Sequence, residues 1–393
     1  MDEIGIDVGG TFTDFIFESN NRYTVAKVPT TQFNPSDAII QGLSSRKTTV
    51  NKIVHSSTIA TNTLLERNGA KTGLITSAGF RDILEIGRQV RADIYELEPA
   101  PAPSLIHPEA ILEFPIKLDQ NGKALPSKHE TPEVLYQECL DFAAENQLES
   151  LAICLLYSYI NDDLERGFES YYNDTRKNNS EYVPSFLSVS SVVSPEYREV
   201  ERASTTVLNA YVGPAMSAYL QDFNERVRLV NAQQTPDVKI VRSDGGSTSL
   251  ENASNLPVST LLSGPSAGVL GAFSIAKQAG YKQIITFDMG GTSTDISLCD
   301  GHISFKNQLE VGGIHARTPI IDIHTIGAGG GSIARIDQGG ALRVGPESAK
   351  SVPGPACYGN QKDSTAPMFT VTDANVILGR LPADSLLGNT LQL

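Results

Sequence analysis

Two stretches decide the fold: DVGGTFTD at Asp7–Asp14 and DMGGTSTD at Asp288–Asp295. Each follows a short apolar run (Ile4 to Ile6; Ile284 to Phe287) and leads into another (Phe15 to Phe17; Ile296 to Leu298). Strand, glycine turn, strand is a hairpin, with an acid at its entry and hydroxyls at its tip. Glycine lets backbone N–H groups come close to a phosphate, and threonine adds hydroxyl donors. An aspartate repels a phosphate at contact, so the leading acids Asp7 and Asp288 imply Mg2+ between them and the anion. Two such hairpins facing each other would hold a nucleotide's phosphate tail from both sides. Gly9, Gly10, Thr11, Thr13, Gly290, Gly291, Thr292 and Thr294 are the expected phosphate contacts. Asp288 polarising a nucleophile is one alternative; two unrelated tight turns are the plain one. For Asp14 and Asp295, closing the hairpin explains the residue as well as metal contact does.

The 393 residues are 40% hydrophobic and 19% charged, which suits two or three globular domains with ample core. No apolar run approaches the ~20 residues of a membrane span, and a strand that starts at once leaves no room for a signal peptide. Cys139, Cys154, Cys299 and Cys357 lack pair spacing, which points to reduced thiols and a cytoplasmic setting. A net charge of −14 argues against nucleic acid or an acidic membrane surface as a partner.

Outward from the first hairpin, strands are expected at Ile4–Asp7, Asp14–Glu18 and Tyr23–Lys27. A helix from Asn34 to Ser44 comes next, then a strand at Lys52–His55 and a helix opening at Ser57-Thr58. Apolar runs predict strands at Lys71–Thr76, Ile111–Leu118, Leu151–Tyr157 and Pro184–Val193, with helices at Thr131–Asn146 and Asp162–Asn178. Residues Glu98 to Pro108 are proline-rich and read as a connector. Glu199 to Val230 is the longest helical pattern, and Gly213-Pro214 predicts a break or kink in it. A strand at Val238–Arg242, a helix from Gly264-Pro265 and a strand at Gln283–Asp288 lead into the second hairpin. Alternating strands and helices imply an α/β fold. The expected division is 1–75 (first lobe start), 76–195 (inserted region) and 196–393 (connecting helix and second lobe).

Several further groups are candidates. GAGGGS at Gly327–Ser332 places Gly327, Gly329, Gly330 and Gly331 either against a phosphate or ribose or in a tight inter-strand loop. In HSSTIATN, His55 stands at a strand end with Ser57, Thr58, Thr61 and Asn62 on the following helix. That location favours substrate contact by His55 and Thr58, against an ordinary cap by Ser57. Arg242 and Asp244 stand beside the Gly245-Gly246 pair and suit substrate or nucleotide contact or a purely structural turn; Arg81 and Arg88 suit an anion or a surface ion pair. Asp322, His324 and Cys357 lack diagnostic metal spacing.

A paired acid-Gly-Gly-Thr hairpin, one per lobe, resembles the actin-like ATPase superfamily, whose ribonuclease H-like lobes are duplicated and carry mixed sheets. The strings HSSTIATNTLLERNGA (His55–Ala70), SPEYREVERASTTVLNAYV (Ser194–Val212), LLSGPSAG (Leu261–Gly268), DIHTIGAGGGSIA (Asp322–Ala334) and PGPACYG (Pro353–Gly359) narrow the match. Together they resemble the hydantoinase/oxoprolinase family, in particular hydantoinase A type subunits, which include the related acetone and acetophenone carboxylase subunits. Family members continue past this point into a GGAGP-type loop on the adenine side, so an incomplete second lobe is expected. Val8 stands where oxoprolinases tend to carry arginine, which tilts the resemblance toward hydantoinase or carboxylase subunits.

The resemblance implies ATP and Mg2+ as cofactors, with Asp7 and Asp288 in metal–phosphate coordination. It implies phosphoryl activation of a ring carbonyl in a small cyclic amide of the hydantoin or 5-oxoproline type, and closure of two lobes. A hydantoinase B type partner subunit and an oligomer are expected. The rivals are a ketone carboxylase subunit, a nucleotide-binding protein without activity of its own, and a sugar-type small-molecule kinase.

Overall fold

The computed structural model describes residues 2–9, 12–20, 22–31, 34–44, 50–90, 95, 104–125, 131–178, 182–230, 235–350, 353–361, 368–383, 386–387 and 391–392. The first hairpin is β1 (Asp2–Val8) against β2 (Phe12–Ser19), with Asp7 opposite Asp14 and Val8 opposite Thr13. β3 (Arg22–Pro29) continues the meander and sets Lys27 opposite Asp14. A parallel return needs a crossover. Helix α1 (Pro35–Ser44) supplies it, and β4 (Val50–Ser57) then lies beside β1 with Ser56 next to Asp7. Strand alternation sends Ile4, Ile6, Val8, Phe15 and Phe17 into the core. Asp7, Asp14 and Ile16 emerge on the opposite face.

Helix α2 (Ile59–Leu65) leads to a second sheet. Its strands are β5 (Thr72–Ser77), β6 (Ile111–Phe114), β7 (Ser150–Cys154) and β8 (Phe186–Val189), all parallel in the order β6-β5-β7-β8. All five residues of β7 are buried, as a parallel strand covered on both faces requires. A short helical turn, α3 (Ile83–Ile86), follows β5, while α4 (Pro132–Glu145) and α5 (Asp163–Asn178) cover one face. The expected strand over Pro184–Val193 is instead β8 plus a helical turn, α6 (Ser190–Val193). There Ser190 and the Ser191 N–H both turn to the buried carboxylate of Glu165.

One helix, α7 (Glu199–Val230), joins the two sheets: Ala203, Val207 and Ala210 pack beneath the second, and Met216, Leu220 and Phe223 beneath the first. It continues through Pro214, so of the expected break or kink the break does not occur. An interior proline costs about 3 kcal/mol; burying three large apolar residues beyond it is worth roughly 1.5–3 kcal/mol each. Gly213 serves close packing, since a Cβ there would come within 2.5 Å of the Phe186 ring.

β9 (Asp237–Val241) adds in parallel to β4, and β10 (Ser247–Ser249) closes the first sheet, whose order is β10-β9-β4-β1-β2-β3. Helices α8 (Leu250–Asn255) and α9 (Ser263–Gln278) then lead to the second hairpin. Here β11 (Gln283–Met289) pairs with β12 (Thr294–Asp300), setting Asp288 opposite Asp295 and Met289 opposite Thr294, the same register as in the first hairpin. The turns match as well: Gly9 N–H donates to Phe12 O at 3.0 Å and Gly290 N–H to Ser293 O at 2.9 Å.

Four short strands follow: β13 (Phe305–Lys306), β14 (Leu309–Val311), β15 (Ile314–Ala316) and β16 (Ile320–Ile321). β17 (His324–Ile326) then joins β12 as the third strand. β18 (Ser332–Ile336) and β19 (Leu342–Ser348) form a hairpin, and α10 (Val371–Ile377) follows. Among the described residues the second hairpin's sheet is the antiparallel three-stranded set β11-β12-β17. Ile285 and Phe287 on its outer face are 69% and 66% exposed. The whole is a mixed α/β fold. No described helix is long and apolar enough to cross a membrane.

Candidate active site

Asp7, next to the last residue of β1, lies in a cleft whose lining includes Gly5, Asp14, Lys27, Ser56 and Ala267. Ser56 reaches it from β4 and donates to Oδ1 at 2.5 Å. From the other side comes the start of α9, where a Cβ on Gly264 would stand 3.2 Å from the same oxygen. Solvent still touches Asp7, yet the walls around it desolvate the carboxylate and raise its pKa. The Ser56 hydrogen bond opposes that rise, the negative charges of Asp14 and Asp288 add to it, and Lys27 counters. The Asp288 charge is felt at Asp7, while the cleft itself is lined by the first sheet and the start of α9.

Around the second hairpin, Asp295 accepts from Thr325 at 2.6 Å. Burial raises its pKa, Thr325 opposes the rise and the Asp288 charge adds to it. Gly291 and Thr292 form the exposed tip. Gly10 and Thr11, their counterparts, lie outside the described residues.

Other expected phosphate contacts have different work. Gly9 and Gly290 spend their N–H groups closing their own turns. Thr13 is fully buried, paired through its hydroxyl with Thr30, which donates to Gly9 O at 2.9 Å. Thr294 is buried too and donates to Ala328 O. These two threonines brace the hairpins from inside rather than facing a ligand.

The glycine run resolves toward its structural alternative. Gly330 N–H donates to Gly290 O at 3.0 Å and Gly331 N–H to Gly291 O at 2.6 Å. Gly329 N–H is held by Ser332 Oγ, and a Cβ there would come within 2.7 Å of Gly290 O. Gly327 packs near Pro346. The loop is thus a brace laid backbone to backbone on the second hairpin, and at Gly330 and Gly331 no N–H is left for a phosphate.

His55 is a core residue, which corrects its expected role in substrate contact. It is fully buried, bonded through Nδ1 to Ile6 O (3.2 Å) and through Nε2 to Tyr219 Oη (2.7 Å), and stacked on Phe223. Burial lowers its pKa to about 4, only partly offset by Ile6 O, so the ring is neutral. Thr58 ties α2 to the hairpin, donating from both N–H and hydroxyl to Val8 O. Thr61 Oγ1 accepts from Leu262 N–H.

Arg88 is a surface partner of Glu201, Arg81 donates to the carbonyls of Pro108 and Ile111, and Arg242 pairs with Asp244. Asp322 pairs with Lys306, and Cys357 sits on Asp373. Among the described residues no group of three or more metal-ligating side chains comes together. Ser56, Lys27 and Gly264 were missed by sequence reasoning. The alternation along β4 carried the signal for Ser56, because it must share a face with Asp7 once the two strands pair.

The hydantoinase/oxoprolinase N-terminal region profile matches residues 3–174 and the hydantoinase/oxoprolinase profile residues 202–392. Caprolactamase subunit alpha of Pseudomonas jessenii is 32% identical, with 99% of this chain covering 56% of that protein. The 5-oxoprolinase of Dictyostelium discoideum is 31% identical, over 96% of this chain and 33% of that one. The nucleotide-free acetone carboxylase structure superposes with a TM-score of 0.82 at 26% identity, over 100% of this chain and 56% of that one. The ATP-dependent caprolactamase structure of P. jessenii gives 0.78 at 32%, over 100% and 57%. The chain thus spans little more than half, or less, of each relative. Matched along nearly its whole length in sequence and fold, it belongs to the hydantoinase/oxoprolinase family.

Proposed function

We propose that this chain is the ATP-handling part of an enzyme that opens small cyclic amides. One observation carries this: two hairpins of identical register each set an aspartate at the entry to a glycine turn, and the Asp288 charge acts on Asp7. Two carboxylates of like charge facing one anion want a cation between them. Their hard oxygen donors fit Mg2+, which binds through one or two carboxylates plus phosphates and waters. When bound, the ion would neutralise charge on the phosphates. Asp7, fixed by Ser56, and Asp288 would hold it, while the exposed Gly291–Thr292 tip offers donors to the tail.

A ring amide resists water because nitrogen donates into the carbonyl. Attack of the carbonyl oxygen on the γ-phosphorus forms an O–P bond and breaks the bond to ADP. Water then adds to the activated carbon and the C–N bond breaks, leaving an acyl phosphate that a second water cleaves. Positioning and charge neutralisation are what the protein contributes. A second polypeptide, of the hydantoinase B kind, is proposed to complete the activity; the relative's designation as a subunit supports it.

A ketone carboxylase subunit is the second reading, favoured by the higher TM-score to acetone carboxylase. Phosphate release from ATP decides between them. Caprolactam, hydantoin or 5-oxoproline should stimulate it; stimulation only by acetone or acetophenone with bicarbonate would transfer the chain to the second class. No Mg-ATP binding by calorimetry in a folded sample would end both.

A further inference from the structure

The two hairpins match in sequence, register and turn, but not on their third strands. β3 places Lys27 opposite Asp14, whereas β17 places Thr325 opposite Asp295. The equivalent positions carry a cation on one side and a neutral hydroxyl on the other. Lys27 Nζ stands 2.5 Å from Asp14 Oδ1 and 4.9 Å from the Phe12 ring centroid. It lines the same cleft as Asp7 and Ser56. Both Lys27 and Asp14 side chains are about half exposed, at 47% and 50%. An exposed pair of this kind is worth little by itself, so the ammonium is held in place without being locked away.

We infer that Lys27 makes the first hairpin an anion subsite for the polyphosphate tail, one that needs no metal to take hold of it. This rests on the nucleotide assignment above and goes further, by dividing the work between the hairpins. A lysine ammonium has three donors and serves as a point charge for phosphate. Asp14 takes one donor and aims the group, leaving the others for an anion in the cleft. The second hairpin, with Asp288, Asp295 and Thr325, brings no cation of its own, and beyond the neutral donors of its Gly291–Thr292 tip it would hold the tail through a bound divalent ion.

Calorimetric titration of the full chain with inorganic tripolyphosphate and with ATP, each in EDTA and again with Mg2+, tests this. The wild-type chain should bind tripolyphosphate in EDTA with an affinity that falls as salt rises. Lys27→Met should weaken that binding by about tenfold to a hundredfold, the loss of a charge-assisted contact, and flatten the salt dependence. Lys27→Arg should retain most of the affinity. Equal affinity of Lys27→Met and wild type in EDTA overturns the subsite while leaving the nucleotide assignment intact. Wild-type binding that needs Mg2+ also overturns it. A wild-type chain that binds neither ligand under either condition overturns the nucleotide assignment itself.

Discussion

Ser56 donates its hydroxyl proton to Asp7 across the parallel pair β1–β4, at 2.5 Å. This bond favours the ionised carboxylate, against burial and the charges of Asp14 and Asp288, which favour the protonated one. Ser56→Ala should therefore push the Asp7 pKa higher still. If Mg-ATP binding needs ionised Asp7, affinity in the variant should collapse at a higher pH than in wild type, by up to about one unit. An unchanged pH profile would show that Asp7 is not the group being titrated.

Asp7 itself should trade stability for binding. A carboxylate whose folded pKa lies above its ordinary value binds its proton more tightly in the folded state. Stability is then fuller below that pKa and is lost as pH rises from the ordinary value through the raised one. Asp7→Asn removes this liability, so the variant should melt no lower than wild type at pH 7. Metal-dependent nucleotide binding should fall by at least about tenfold in Asp7→Asn and in Asp288→Ala. Unchanged affinity in both variants would remove the hairpins from the phosphate site.

His55 makes the opposite kind of pH prediction. Its folded pKa falls from 6.5 to about 4, so protons bind preferentially to the unfolded chain in that window. Its contribution is present above pH 6.5 and lost as pH falls toward 4, by about 3 kcal/mol at most. Urea unfolding at pH 7 and pH 4.5 should show a smaller acid loss in His55→Gln than in wild type. Equal losses would mean that other groups dominate.

What sequence could disclose follows from how local each feature is. The hairpins were legible because acid, glycine pair and alternating apolar residues all act within eight positions. The pairing of Lys27 with Asp14 depends on where β3 lands, and the Ser56–Asp7 bond depends on a crossover through α1. The glycine run advertised close backbone approach but not its partner, which turned out to be Gly290 and Gly291. His55 misled because a strand-end histidine looks identical in sequence whether its ring meets substrate or Phe223 and Tyr219.

The brace on the second hairpin can be separated from α9 by two glycine substitutions. A Cβ at Gly329 would press within 2.7 Å of backbone atoms of Gly290 and Gly291, which cannot yield without moving the hairpin. At Gly271, inside α9, nothing lies within 4 Å of the same addition. Gly271→Ala should stabilise the chain by up to about 1 kcal/mol through helix propensity alone. Gly329→Ala should destabilise it by about 1–3 kcal/mol, as overpacking does, and weaken nucleotide binding alongside. Thermal melts and calorimetry on the two variants check this; a Gly329→Ala chain with wild-type melting and binding would detach the loop from the hairpin.

A buried polar network stands just beyond the end of β7, between α5, α6 and α7. Glu165 is fully buried and accepts from Leu155 N–H, Ser191 N–H and the hydroxyls of Ser158 and Ser190. Arg202, also fully buried, donates to the same two serines and to Glu199. The network ties β7, α5 and α6 to the first turns of α7, the helix that also floors the first sheet. Removing one member strands the others in a dry interior, which costs about 3–5 kcal/mol for a buried charge left without its partner. Arg202→Met should therefore cost that much, and Glu165→Gln less, because an amide oxygen still accepts from several of the donors. If Arg202→Met unfolds at the same urea concentration as wild type, the two sheets are held by apolar packing alone and the network contributes nothing.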